Sequence, residues 1–136
     1  MEKCLIFCAG GFDRLAEPVE SGDYIIAADG GLRHTQALGL EPQAILGDFD
    51  SLGYVPENAL VFPKEKDDTD SMLAIRLGLE KGYREFVLYG AMDGPRVDHT
   101  LANFQALQFL AREGARGWLV GQYQIATAFE NSLVLP

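Results

Sequence analysis

The chain has 136 residues, 48% of them hydrophobic and 23% charged, a size and balance that suit one globular domain with a single core. Its net charge of −9 excludes the basic footprint that nucleic acid requires and disfavours an anionic membrane surface. Only two cysteines occur, no apolar stretch approaches the ~20 residues that span a bilayer, and the apolar run at 4–9 is too short for a signal peptide, so the protein reads as soluble and cytoplasmic.

The first predicted strand covers 4–9, with Cys4 and Cys8 on one face and too far apart to bridge. Gly10 and Gly11 follow it and could form a nest of backbone N–H groups for a phosphate. A second strand, 24–28, runs into Asp29-Gly30-Gly31, and a helix is expected over 31–38 with its stop at Gly39. Strand 44–46 leads into Gly47-Asp48-Phe49-Asp50-Ser51. Strand 59–62 leads through Lys64 and Lys66 to Asp67-Asp68-Thr69-Asp70. Helix 71–81 then places Leu73, Ala74, Ile75 and Leu77 on its apolar side and stops at Gly82. Strand 86–89 opens onto a segment holding Asp93, Arg96, Asp98 and His99. Helix 99–113 follows, with an apolar face of Leu101, Phe104, Leu107 and Leu110 and a stop at Gly114. Strand 118–120 comes last, and 132–135 reads as the start of another.

Strands that are almost continuously apolar are strands covered on both faces. Their alternation with helices makes the chain an α/β domain with a mainly parallel sheet and helices on both sides. Strand order is not legible from this pattern.

In open α/β sheets ligands bind at the carboxyl ends of the strands, and here four strands end in aspartate-rich segments. Converging carboxylates repel one another unless a cation neutralises them. Hard oxygen donors suit Mg²⁺, which completes its shell with water and substrate phosphates. Asp48 and Asp50 alternate on an extended segment and point the same way, and Asp70 opens a helix that could reach the same ion. Arg96 offers a planar donor fork for a phosphate, and Lys64 or Lys66 a more mobile charge. Each piece also has an ordinary structural reading: Asp70 and Asp98 stand where helix N-caps belong, and Gly-Gly pairs often only turn the chain. Asp48-Phe49-Asp50-Ser51 is the hardest to read that way, because two carboxylates follow an apolar strand directly.

Taken in order, Asp29-Gly30-Gly31, Gly47-Asp48-Phe49-Asp50-Ser51, Asp67 to Asp70 with its Thr-Asp, and Arg96-Val97-Asp98-His99 with Asn103 resemble the motif series of thiamine pyrophosphokinases. The resemblance implies a Rossmann-like, three-layer α/β/α domain over 1–136 that binds Mg-ATP. It implies transfer of diphosphate from ATP to the hydroxyl of thiamine, giving thiamine diphosphate and AMP. By match to the motifs, Asp48, Asp50 and Asp70 would hold Mg²⁺, and Arg96 and Asp98 would line the cleft near the reacting phosphates. Gly10, Gly11, Asp29, Gly30, Gly31, Ser51, Lys66, Thr69, His99 and Asn103 complete the expected binding set. Family members carry a β-sandwich domain after this one and bind thiamine across a homodimer interface. No counterpart of that domain is expected within these 136 residues, so the chain reads as a fragment or a shortened protein.

Three departures from the pattern stand out: Pro95 in place of a second glycine, Met72 where relatives often carry a carboxylate, and the absent β domain. Two other readings remain open at this point. Asp48-Phe49-Asp50-Ser51 also resembles the nucleophile loop of haloacid-dehalogenase phosphatases, although that loop normally follows the first strand and this one the third. The chain could otherwise bind nucleotide or metal without turnover.

Overall fold

The computed structural model describes residues 2–47, 59–61, 69–92 and 97–129, with 29, 59–61, 97 and 99 confined to their backbone. Six parallel strands and one antiparallel strand form one sheet: β1 Cys4–Phe7, β2 Tyr24–Ala28, β3 Ala44–Gly47, β4 Ala59–Val61, β5 Glu85–Tyr89, β6 Arg116–Val120 and β7 Ile125–Thr127. Their order is β4-β3-β2-β1-β5-β6-β7. The chain therefore works outward from β1 to β4, returns across the sheet, and continues from β5 on the other side of β1. β1 lies at the centre and all four of its residues are buried, which is why it reads as an unbroken apolar run.

Successive side chains of a strand point to opposite faces, and the core divides accordingly. Cys4, Ile6 and Cys8 join Ile26, Ala28 and Leu46 on one face, beneath helices α2 (Asp70–Glu80) and α3 (Val97–Arg112). Leu5, Phe7, Ile25, Val87 and Tyr89 occupy the other face. That second face is covered partly by helix α1 (Leu32–Leu38), through Leu32 against Ala27 and Ile45. The remainder is covered by the long connection after β1, whose Phe12, Leu15 and Val19 pack inward. Phe12 stands edge-on to Phe7 and Tyr89, and the Tyr89 hydroxyl accepts the Ala16 N–H at 3.1 Å. The architecture is thus three-layered α/β, as the alternation of elements implies. Among the described residues no helix is long and apolar enough to cross a membrane.

The expected elements shift by at most two residues at their ends, with two larger differences. The expected face of α3 is wrong at its start: Leu101 is 59% and Phe104 40% exposed, while Asn103, Ala106, Leu107 and Leu110 are buried. Leucines and phenylalanine at every third position precess by about 60° per step around a 3.6-residue helix, so 101 and 110 end on opposite sides. Leu107 and Leu110 decide which side is inward, because they close over Gly117 on β6. On α2 the buried line is Ser71, Ala74, Ile75 and Gly78, with Leu73 and Leu77 on its flank. The other difference is β7, three half-exposed residues antiparallel to β6 that carry no strong strand signal. The further strand expected at 132–135 lies outside the described residues.

Candidate active site

The order of strands reverses direction between β1 and β5, so the crevice of this fold opens at their carboxyl ends. The two chains stay paired beyond the strands themselves: Cys8 N–H donates to the Tyr89 carbonyl at 2.7 Å and Gly10 N–H to the Gly90 carbonyl at 2.8 Å. The Gly10 carbonyl faces His34 Nε2 at 2.7 Å, and the His34 ring leans on Phe12. Both backbone groups of Gly10 are therefore engaged within the fold, while Gly11 next to it is exposed. Gly90 makes the close approach possible, with φ at 70° and no space for a side chain beside the Cys8 carbonyl.

At the end of β2, Asp29-Gly30-Gly31 turns through one 3-10 turn before α1 begins. A Cβ on Gly31 would run into the Phe7 carbonyl of β1, so Gly31 serves packing across the strand ends. Gly31→Ala is accordingly expected to cost about 1–3 kcal/mol of stability or more, read as a lowered urea midpoint.

The N-terminus of α2 stands over the same edge of the sheet, with the helix lying across β1, β2 and β3. Thr69, not Asp70, is its N-cap: the Thr69 hydroxyl accepts the Met72 N–H at 3.2 Å and the Thr69 carbonyl accepts the Leu73 N–H at 3.0 Å. This removes the capping reading for Asp70, which occupies the first helical position, half-buried and favoured there by the helix dipole. Its charge reaches the end of β1. Burial pushes the Cys8 thiol up to about 12, and the nearby Asp70 carboxylate pushes in the same direction.

Asn103 ties this helix to the loop after β5. It is buried, donates from Nδ2 to the Ala91 carbonyl at 2.7 Å, and accepts from the Ser71 hydroxyl at 2.5 Å. Thr100 adds a second tie, its hydroxyl donating to the Met92 carbonyl at 3.1 Å. Asp98 is exposed in the first turn of α3, and His99 follows it on the same turn. The structure therefore brings Gly10, Gly30, Gly31, Thr69, Asp70, Asp98 and Asn103 to one edge of the sheet. Asp48, Asp50, Ser51, Lys64, Lys66 and Arg96 lie outside the described residues. Among the described residues no group of three metal-ligating side chains occurs.

A model of the thiamin pyrophosphokinase catalytic domain matches residues 15–119 of the chain. The chain belongs to this family. Solved structures agree. The thiamine pyrophosphokinase of Bacillus subtilis superimposes with a TM-score of 0.74 at 28% identity, covering 88% of this chain and 61% of that one. A thiamin pyrophosphokinase family protein from Enterococcus faecalis gives 0.67 at 28% identity, with coverages of 88% and 61%. The Candida albicans thiamin pyrophosphokinase, at 15% identity and a TM-score of 0.61, shares the fold, covering 91% of this chain and 59% of that one. The chain spans about three-fifths of the length of these relatives. A search of curated proteins gave no match.

The family match begins at residue 15, so the β1 loop with Gly10 and Gly11 stands outside it, whereas 29–31, 47–51, 67–70 and 96–103 stand within. One residue of the site was missed in the sequence. Ser71 is buried and bonded to Asn103, and its signal was a hydroxyl on the 71/74/75/78 line that faces the core.

Proposed function

We propose that this domain binds Mg-ATP at the carboxyl edge of its sheet and transfers diphosphate to the hydroxyl of thiamine, leaving AMP. The family match over 15–119 supports this reading, because it spans the segments that end β2, β3, β4 and β5. The donor chemistry fits Mg²⁺: Asp70 is a half-buried hard-oxygen donor in the first turn of α2, and the other two carboxylates assigned to the ion follow β3. Asp48, Asp50 and Asp70 would hold Mg²⁺, which would neutralise charge on the phosphates.

The chain's own residues do the remaining work. Arg96 orients a phosphate, and Lys66 and Ser51 add donors to it. Asp98, exposed at the start of α3, takes the proton of the attacking hydroxyl. Thr69 and Asn103 hold the two helix starts in place. Asp29, Gly30, Gly31 and His99 border the nucleotide, and thiamine is completed by the part of the relatives' length that this chain does not span, in a homodimer.

The test is the nucleotide released. With ATP, Mg²⁺ and thiamine, the nucleotide that chromatography shows released is expected to be AMP, matched by an equal amount of thiamine diphosphate; ADP would overturn diphosphate transfer. ATP with Mg²⁺ at 100 times its dissociation constant is expected to raise the melting midpoint by roughly 5–12 °C.

A further inference from the structure

The hydrogen bonds joining α2 to α3 have a polarity that geometry alone determines. The Ala91 carbonyl can only accept, so the Asn103 atom 2.7 Å from it is the amide nitrogen. Asn103 Oδ1 therefore faces Ser71, and the Ser71 hydroxyl must donate to it across 2.5 Å. A serine has one proton to give. The 3.1 Å contact between Thr69 Oγ1 and Ser71 Oγ is thus donated by Thr69, whose oxygen still accepts the Met72 N–H. Three donors run in one direction, from the cap of α2 through α3 to the loop that leaves β5.

Asp70 stands between Thr69 and Ser71, so both of its neighbours are held by this chain. Ser71 and Asn103 are both buried, where a lost partner is not replaced by water. We propose that Ser71 is a positioning residue of the site. Through Asn103 it sets where the first turn of α2, with Asp70, stands relative to the loop after β5, and so governs the Mg²⁺-dependent part of nucleotide binding. The inference rests on the reading of Asp70 as a Mg²⁺ ligand.

Groups that orient metal ligands typically change metal affinity or activity by about 10–100-fold when removed. The test titrates the full chain calorimetrically with α,β-methylene-ATP, with and without Mg²⁺, for the parent, Ser71→Ala, Ser71→Cys and Ser71→Thr. Thermal melts without ligand accompany each titration. Ser71→Ala is expected to lose about tenfold or more of the tightening that Mg²⁺ produces, while affinity without Mg²⁺ stays near the parent value. Ser71→Thr, which keeps the hydroxyl, is expected to restore the Mg²⁺ response. Should the alanine variant fail to fold, Ser71→Cys decides, since it keeps the size of the side chain and weakens the donor. A full Mg²⁺ response in the variant lacking the hydroxyl, or an equal loss with and without Mg²⁺, overturns the proposal. Absence of any binding by the parent chain overturns the nucleotide reading, and this inference with it.

Discussion

Asp70→Asn is expected to abolish the Mg²⁺-dependent stabilisation by ATP and to lower turnover by on the order of 10²-fold or more. The substitution keeps the size of the side chain and its place in the first turn of α2, where Thr69 rather than residue 70 caps the helix. Stability without ligand should therefore change little, beyond the few tenths of a kcal/mol that a charge contributes near a helix N-terminus (roughly 0.3–1 kcal/mol). A carboxylate that only terminated the helix would give the opposite pattern, a lower melting point and an unchanged response to Mg²⁺. A second readout comes from Cys8, whose thiol is held up mainly by burial and additionally by the Asp70 charge. Removing that charge should lower the Cys8 pKa, seen as an earlier onset of thiolate absorbance during an alkaline titration. An unchanged titration together with an unchanged Mg²⁺ response would place Asp70 away from the strand ends.

The parts of this site that were legible in the sequence are those where chemistry and periodicity agree. Asp29, directly after the apolar strand β2, could be assigned to the carboxyl edge, because a strand buried on both faces must leave its polar residues at its ends; Asp48 and Asp50, expected there after β3, lie outside the described residues. Asp23 shows the limit of that argument. It is a buried carboxylate at the amino end of β2, where it accepts the Lys3 and Glu20 N–H groups at 3.0 and 2.9 Å and holds a turn together. Nothing in its residue type distinguishes it from a ligand; its position before the strand does. Leu101 and Phe104 misled because spacing at every third residue resembles a helical face over one turn and leaves it over three. Ser71 was hidden because a serine on an apolar line reads as a tolerated small residue until its partner, 32 positions away, is seen beside it. β7 escaped because an edge strand of three residues owes its form to β6 rather than to its own composition.

The two cysteines lead to an expected loss of stability in alkali. Both are buried without a disulfide, and burial raises each thiol from 9.0 to about 12. In the unfolded chain the thiols ionise near their ordinary value, whereas in the folded chain they keep their protons. Above pH 9 the unfolded state thus binds fewer protons than the folded one, and stability must fall as pH rises. The contribution is fully present below pH 9 and is lost on the way to pH 12, at about 1.4 kcal/mol per pH unit for each thiol, or ~2.7 for both. A small domain has only about 5–15 kcal/mol in total, so a loss of this slope is a large fraction of it and readily measured. Tyr24, Tyr83 and Tyr89 are also raised, chiefly by burial, but from 10.0, so the first pH unit above 9 belongs to the thiols. Urea midpoints between pH 8 and pH 10 would test this in the parent and in Cys4→Ala/Cys8→Ala. The double variant should begin less stable, having lost packing in the core beneath α2, and should show a much flatter dependence on pH. Parallel slopes for the two proteins would mean that the thiols titrate equally in both states, and that the end of β1 beneath Asp70 is open to water.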